Sequence, residues 1–244
     1  MKLICLNIEL NKHRDKVLNF LKKENPDVIC LQELLEGDFE FFQKELGMQG
    51  VFKLWYFLNI PNRPEVFGQK HGVAIFAKKI IDSGFIYFDG SEENIKKAFD
   101  EFFSDKNIQD NSVFVWIETV TEKGEKFKFI NTHLPVTEKG ETTDYQLEVI
   151  EKLLRELLKI PEFILCGDTN APRGKEAFTL LANKYKDNIP EKYKTSLDQN
   201  LHRVKGLQYM VDGLFTTPGY KAENVKLIDG VSDHMAIVAD IEKS

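Results

Sequence analysis

Residues 113–131 read VFVWIETVTEKGEKFKFIN. Val113, Val115, Ile117 and Thr119 alternate with Phe114, Trp116 and Glu118, the period of two that gives a strand two distinct faces. Glu122-Lys123-Gly124-Glu125 turns the chain, and Phe127, Phe129 and Asn131 then alternate with Lys126, Lys128 and Ile130. Two such runs about a glycine-bearing turn make an antiparallel hairpin.

Outward from the hairpin, the same reading gives more strands than helices. Toward the C-terminus, Thr143-Asp144-Tyr145-Gln146 is a capping-box pattern that opens a helix. Leu147, Ile150, Leu154 and Leu157 form its apolar stripe, and Pro161 closes it. A buried strand over 163–166, a short helix over 176–185, a loop over 187–201 and strands over 209–215, 225–228 and 235–241 follow. Toward the N-terminus, strands are expected over 3–8, 28–31, 51–58, 72–77 and 85–88, with helices over 14–24 and 38–46. Asn25-Pro26-Asp27 and Gly47 stop those helices. Residues 59–69 read as a loop, and 91–111, where Phe99, Phe102 and Phe103 sit among charges, read as a helical insertion. Hairpins outnumber regular βαβ units. The expected fold is therefore an α/β sandwich, two packed, mainly antiparallel sheets with outer helices, built from one domain over 1–244.

Composition excludes several classes. The 244 residues are 42% hydrophobic and 30% charged, ordinary for a globular protein with a sizeable core. Net charge is −6, so the chain lacks the basic surface that holds nucleic acid by bulk phosphate neutralisation; any such contact must be local or metal-assisted. Cys5, Cys30 and Cys166 lie far apart in apolar runs, and read as reduced, buried thiols. The N-terminal apolar run is too short for a signal peptide and no stretch has the length of a membrane span, so a cytoplasmic location is expected, with a monomer as the default.

Residues able to do chemistry recur where apolar strands stop. They are Asn7 and Glu9, Gln32-Glu33, Asn131-Thr132-His133 and Gly167-Asp168-Thr169-Asn170, joined by Asp212 within a late strand and Ser232-Asp233-His234 just before the last. Each alone reads as a cap, a turn residue or a satisfied histidine. Six such clusters together are more than capping requires, and loops on a rigid sheet are where catalytic groups collect. Carboxylates and amides without thiolates suit Mg²⁺, with Mn²⁺ as a substitute, and a hard cation beside imidazoles and an acid is the inventory of phosphoester hydrolysis.

In this order the motifs resemble the endonuclease/exonuclease/phosphatase superfamily, which includes DNase I, exonuclease III-like repair nucleases, tyrosyl-DNA phosphodiesterase 2, neutral sphingomyelinases and inositol-polyphosphate 5-phosphatases. The resemblance runs from Leu6-Asn7-Ile8-Glu9 through Leu31-Gln32-Glu33, Gly72-Val73-Ala74-Ile75, Asn131-Thr132-His133-Leu134, Gly167-Asp168-Thr169-Asn170 and Val211-Asp212-Gly213 to Ser232-Asp233-His234. It implies a four-layer α/β sandwich. It implies Glu33 as the principal Mg²⁺ ligand, helped by Asn7 and Asp233, with Glu9 where some members place a second acidic metal residue. Asp168 would orient or deprotonate the attacking water, Asn170 would hydrogen-bond the phosphate, and His133 would serve as general acid. His234 would contact the phosphate with Asp212 as its partner, an arrangement that favours the imidazolium.

Leu34-Leu35 after Glu33, and Val211-Asp212-Gly213 at the late strand, depart from the exonuclease III-like pattern and disfavour an abasic-site endonuclease. Two further segments bear on the substrate: 59–71, with Arg63, Lys70 and His71, and 193–203, with Lys194, His202 and Arg203, each a potential rim for anionic oxygens. The expected substrate is a phosphoester in nucleic acid. The alternatives are a phospholipid, inositol phosphate or other small phosphoester, and a binding module that keeps the fold without catalysis.

Overall fold

The computed structural model describes residues 1–58, 64–95, 97–98 and 111–244. In chain order the elements are β1 (Lys2–Asn7), α1 (Arg14–Glu24), β2 (Val28–Leu35), α2 (Phe39–Leu46), β3 (Gln49–Leu58), β4 (Lys70–Ala77), β5 (Asp82–Asp89), β6 (Lys97–Ala98), β7 (Ser112–Val120) and β8 (Lys126–His133). Then follow α3 (Asp144–Leu157), β9 (Ile164–Asp168), α4 (Glu176–Ala182), β10 (Lys186–Asp187), β11 (Asp212–Thr216), β12 (Tyr220–Ile228) and β13 (Ala236–Lys243).

Among the described residues these strands form two sheets, ordered β12-β13-β1-β2-β4-β3-β6 and β10-β11-β9-β8-β7-β5. The 113–131 hairpin is β7 and β8, paired from Phe114↔Thr132 to Val120↔Lys126. Most neighbours are antiparallel, but β1 runs parallel to β2, β8 to β9 and β3 to β6. The first two parallel pairs are each joined through a helix, α1 and α3, because a parallel connection needs a crossover.

Side-chain alternation then builds four layers. Inward residues of both sheets, Leu3, Cys30, Val73, Ile75, Val115, Phe129 and Ile237 among them, form the inter-sheet core. The outward face of the first sheet packs on Val17, Leu18 and Leu21 of α1 and Phe42 of α2. The outward face of the second packs on α3 and α4. The three cysteines are free and buried, and burial raises their thiol pKa values, so they stay protonated.

Local chemistry sets the ends. Gly47 closes α2 at φ 64, its N–H on Lys44 O, a left-handed cap that favours glycine. Gly167 lets β9 approach β8, since a Cβ there would stand 2.0 Å from Thr132 O.

Several elements differ from the sequence reading. The apolar face of α3 is Val149, Ile150, Leu153 and Leu157, with Leu147 and Leu154 only partly buried. The stripe is rotated because Gln146, a polar residue, is buried with it for a reason found at the site. The strand expected over 209–215 starts only at Asp212, and α4 ends at Ala182. The two-residue strands β6 and β10 are too short to leave a periodic signal. Of the expected helical insertion over 91–111, the described part holds a 3₁₀ turn at Glu92–Asn94 and β6. Its Phe99, Phe102 and Phe103, and Arg63 of the other segment, lie outside the described residues.

Gln32-Glu33 is not a strand end. Strand β2 continues to Leu35 and bulges, its register with β4 passing from Leu31↔Ala74 to Leu34↔Gly72, one residue more on β2 than on β4. Glu33 takes φ 58 in that bulge. Alternation misses this because a bulge breaks the period that reveals the strand.

Candidate active site

The predicted residues converge at one end of the sandwich, and their contacts cross from sheet to sheet. Asn7, at the end of β1, donates from Nδ2 to Glu33 Oε1 of β2 (3.1 Å) and to Asp168 Oδ2 of β9 (3.0 Å). His234, just before β13, places Nδ1 2.8 Å from Asp212 Oδ2 on β11 and Nε2 3.8 Å from Asp168 Oδ2. His133, at the end of β8, has Nε2 3.3 Å from the same Asp168 oxygen. Asp168 is the hub because β9 lies between β8 and β11, in register with His133 and Asp212.

Electrostatics divides these groups. Burial alone would raise Asp168, but the imidazoles of His234 and His133 and the Asn170 N–H bring its pKa down to about 2. Asp168 is thus ionised at every physiological pH. Burial works against charge on His234 too, yet Asp212, Asp168 and Asp233 around it raise its pKa well above the ordinary histidine value. Burial raises Asp212, against the opposing pull of the His234 imidazole and its hydrogen bond. Burial raises Glu33, and neighbouring Asp233 adds to this against the opposing His133, Asn7 and His234.

A hard divalent cation fits the donor set around Glu33. Two carboxylates, Glu33 and Asp233, lie close together, Asp233 disfavouring charge on the buried Glu33, and a dication would relieve that. Asn7 presents its Nδ2 to the carboxylates while its Oδ1 accepts from Glu9 N (3.1 Å), so it steadies them and keeps one lone pair of that oxygen. Glu9 is committed elsewhere, to Lys12 Nζ (2.7 Å) and His13 Nε2 (3.0 Å). Asp168, Asp212 and His234 also bring ligand atoms within 4.8 Å of one another. There the charged imidazole already supplies the cation, and an imidazolium cannot ligate a metal.

The remaining candidates have other surroundings. The Asn170 amide donates to Leu134 O (2.9 Å) and faces His133 Nε2 (3.0 Å), so it tethers the imidazole. His71 is 5% exposed, its ring against Trp55 and Tyr56. Burial, aided by His133, lowers its pKa to about 3, making it a neutral ring rather than a cationic rim group. His202 Nδ1 meets the backbone of Val204 within its own loop, and Arg203 is exposed on that loop.

Three residues not anticipated as site groups support the cluster. Ser196 Oγ accepts from Val211 N and Asp212 N (3.0 and 3.1 Å), fixing Asp212. Asp198 accepts from Asn200 N and Leu201 N (2.8 Å each) and from Gly230 N, while its own N–H donates to Asp233 O (2.8 Å). The 193–203 segment therefore braces the Ser232-Asp233-His234 loop. Asp198-Gln199-Asn200 carries the Asx-turn signal that could have revealed this. Gln146, at the start of α3, donates to Pro135 O (3.2 Å) and Asn170 O (3.1 Å). Thr143 caps the helix by accepting from Gln146 N (3.1 Å), but the Gln146 side chain serves the site instead of completing a capping box.

A family model described as Endonuclease/Exonuclease/phosphatase family matches residues 5–234. Among solved structures, the chain is similar to the human Nocturnin catalytic domain with bound sulfate anion, at 20% identity over 100% of this chain and 93% of that one, TM-score 0.72. It is similar to the mannosyl-6-phosphatase of Bacteroides thetaiotaomicron VPI-5482, at 10% identity over 99% of each chain, TM-score 0.71. It is also similar to D. rerio TDP2 complexed with single-strand DNA product, at 17% identity over 99% and 98%, TM-score 0.70. At such identities the likeness is one of fold. No sequence among the curated proteins matches.

Proposed function

This chain belongs to the endonuclease/exonuclease/phosphatase family, and from that premise we propose that it is a Mg²⁺-dependent phosphodiesterase acting on nucleic acid. The observation that carries the chemistry is the Asp168 carboxylate, ionised and faced by His133, His234 and Asn7 from both sheets. Glu33 and Asp233 would hold the ion, which would neutralise charge on the phosphoryl group. Asp168 accepts a hydrogen bond from the attacking water and orients it toward phosphorus. His234, kept protonated by Asp212, donates to a phosphoryl oxygen as negative charge grows there. His133, its Nε2 beside the Asn170 amide and Asp168, would be the group that passes a proton to the leaving oxygen.

Nucleic acid is the favoured substrate because the motif series is shared with nucleases and a relative in fold has been captured with a single-strand DNA product. The net charge of −6 favours a second reading, in which the same chemistry serves a small phosphoester. A substrate panel separates them: single- and double-stranded DNA, RNA, and small phosphate mono- and diesters, each with and without Mg²⁺, beside Asp168→Asn. Metal-dependent oligonucleotide cleavage, lost in the variant, is the expected result. Intact oligonucleotides with cleaved small phosphoesters would select the second reading, and no metal-dependent turnover of any phosphoester would overturn both.

A further inference from the structure

The bulge that carries Glu33 is clamped from the opposite sheet. Asn131, on β8, crosses the inter-sheet space and donates from Nδ2 to Leu31 O (2.8 Å) and Ala74 O (2.9 Å). Leu31 and Ala74 are the last partners in register before β2 bulges. Both Asn131 amide hydrogens are thereby used, and its Oδ1 is left only to accept. Gln32 meets that demand, donating from Nε2 to Asn131 Oδ1 (2.6 Å) and leaning on Cys5 Sγ (3.3 Å). The chain Leu31/Ala74–Asn131–Gln32 is fully buried and closes on itself, since Gln32 is the residue next to Glu33.

The bulge needs such a clamp. A glutamate at φ 58 sits where non-glycine residues are strained, and such strain persists only when the surroundings over-determine it. A regular strand would relieve the strain and, by the period of two, swing the carboxylate out of the site. Asn131 touches neither metal donor nor substrate.

We propose that Asn131, secured by Gln32, is a positioning residue for Glu33: it locks the β2 bulge in the register that aims the carboxylate at the metal site. The proposal rests on the reading of Glu33 as a metal holder only for its effect on affinity, not for the lock itself.

Two readouts on the full chain test it, Mn²⁺ affinity by calorimetry and amide hydrogen exchange at residues 32–35. Asn131→Leu is compared with Phe129→Leu, two residues earlier on the same strand and inner face, whose side chain makes no hydrogen bond to the bulge. With the lock as described, Asn131→Leu speeds exchange at the Glu33 and Leu34 amides by at least about tenfold and weakens Mn²⁺ binding on the order of 10- to 100-fold, the usual cost of losing a support behind a ligand. Phe129→Leu lowers the melting temperature while leaving both readouts near wild type. Wild-type exchange at 32–35 in Asn131→Leu overturns the proposal, as does an equal change in Phe129→Leu. Should Asn131→Leu fail to fold, Gln32→Met, which removes only the brace, is read on the same scale, and wild-type exchange there also overturns it. A wild-type protein that binds no Mn²⁺ defeats the reading of Glu33, while the exchange data still decide the lock.

Discussion

His133 and His234 approach the same oxygen of Asp168, at 3.3 and 3.8 Å, yet they are held in opposite ways. His234 is wired electrostatically: Asp212 grips Nδ1 and three carboxylates surround the ring. His133 is held by packing and an amide: its ring lies 3.8 Å from that of Trp55, which leans on His71, its Nε2 faces Asn170, and its buried Nδ1 has no hydrogen-bond partner among the described residues. The contrast suits two tasks. An imidazole ringed by carboxylates and fixed as a cation is a steady donor to phosphate, whereas one clasped by a stacked ring and an amide is placed by shape more than by charge.

Removing what the two rings share should do most damage. Asp168→Asn is expected to lower kcat/KM on the order of 10³-fold or more with the melting temperature little changed, read on whichever phosphoester the panel selects. Next, His234→Gln should cost on the order of 10²- to 10³-fold, nearly all in kcat; a change confined to KM would remove it from the transition state. Asp212→Asn tests the wiring itself. The active His234 is protonated, so activity is lost as pH rises through its raised pKa. Without the Asp212 charge that alkaline limb should move to lower pH, and an unmoved limb would mean another group sets it. Trp55→Leu, on the packed side, should cost only about tenfold and leave the alkaline limb in place.

The last effect concerns stability and vanishes near neutrality. Unfolded, His71 takes up a proton near pH 6.5; folded, it resists until about 3. Between those values the unfolded state binds more protons, so stability falls with falling pH by about 1.4 kcal/mol per unit from this group. In His71→Phe, denaturant titrations from pH 7 to 4 should show a correspondingly shallower decline.

The legibility of the molecule follows the same division. The Gly167–Asn170 and Ser232–His234 motifs were readable because alternation marks where strands stop and polar residues there stand out, whereas Asp212 as the partner of His234 came only from the family resemblance. What stayed hidden is carried by exceptions to alternation. The β2 bulge places Glu33 in mid-strand, and Gln146 looks like a cap while reaching to Asn170. Ser196 and Asp198 lie in a stretch whose neighbouring cations suggested a substrate rim, and only the fold shows which loops they tie down. Trp55 is in one β-strand among aromatic neighbours, and nothing local says that it meets a histidine 78 positions on.

The contacts that complete the site join one sheet to the other at three places: Asn7 to Asp168, His234 to Asp212, Gln32 to Asn131. Neither half of the molecule contains the chemistry. A folding intermediate with both sheets and all helices formed, but loosely apposed, would keep its far-ultraviolet signature and hydrolyse nothing. Catalysis would then be the last property to arrive in refolding and the first to leave under mild denaturant, a more sensitive gauge of inter-sheet closure than any spectroscopic measure of secondary structure.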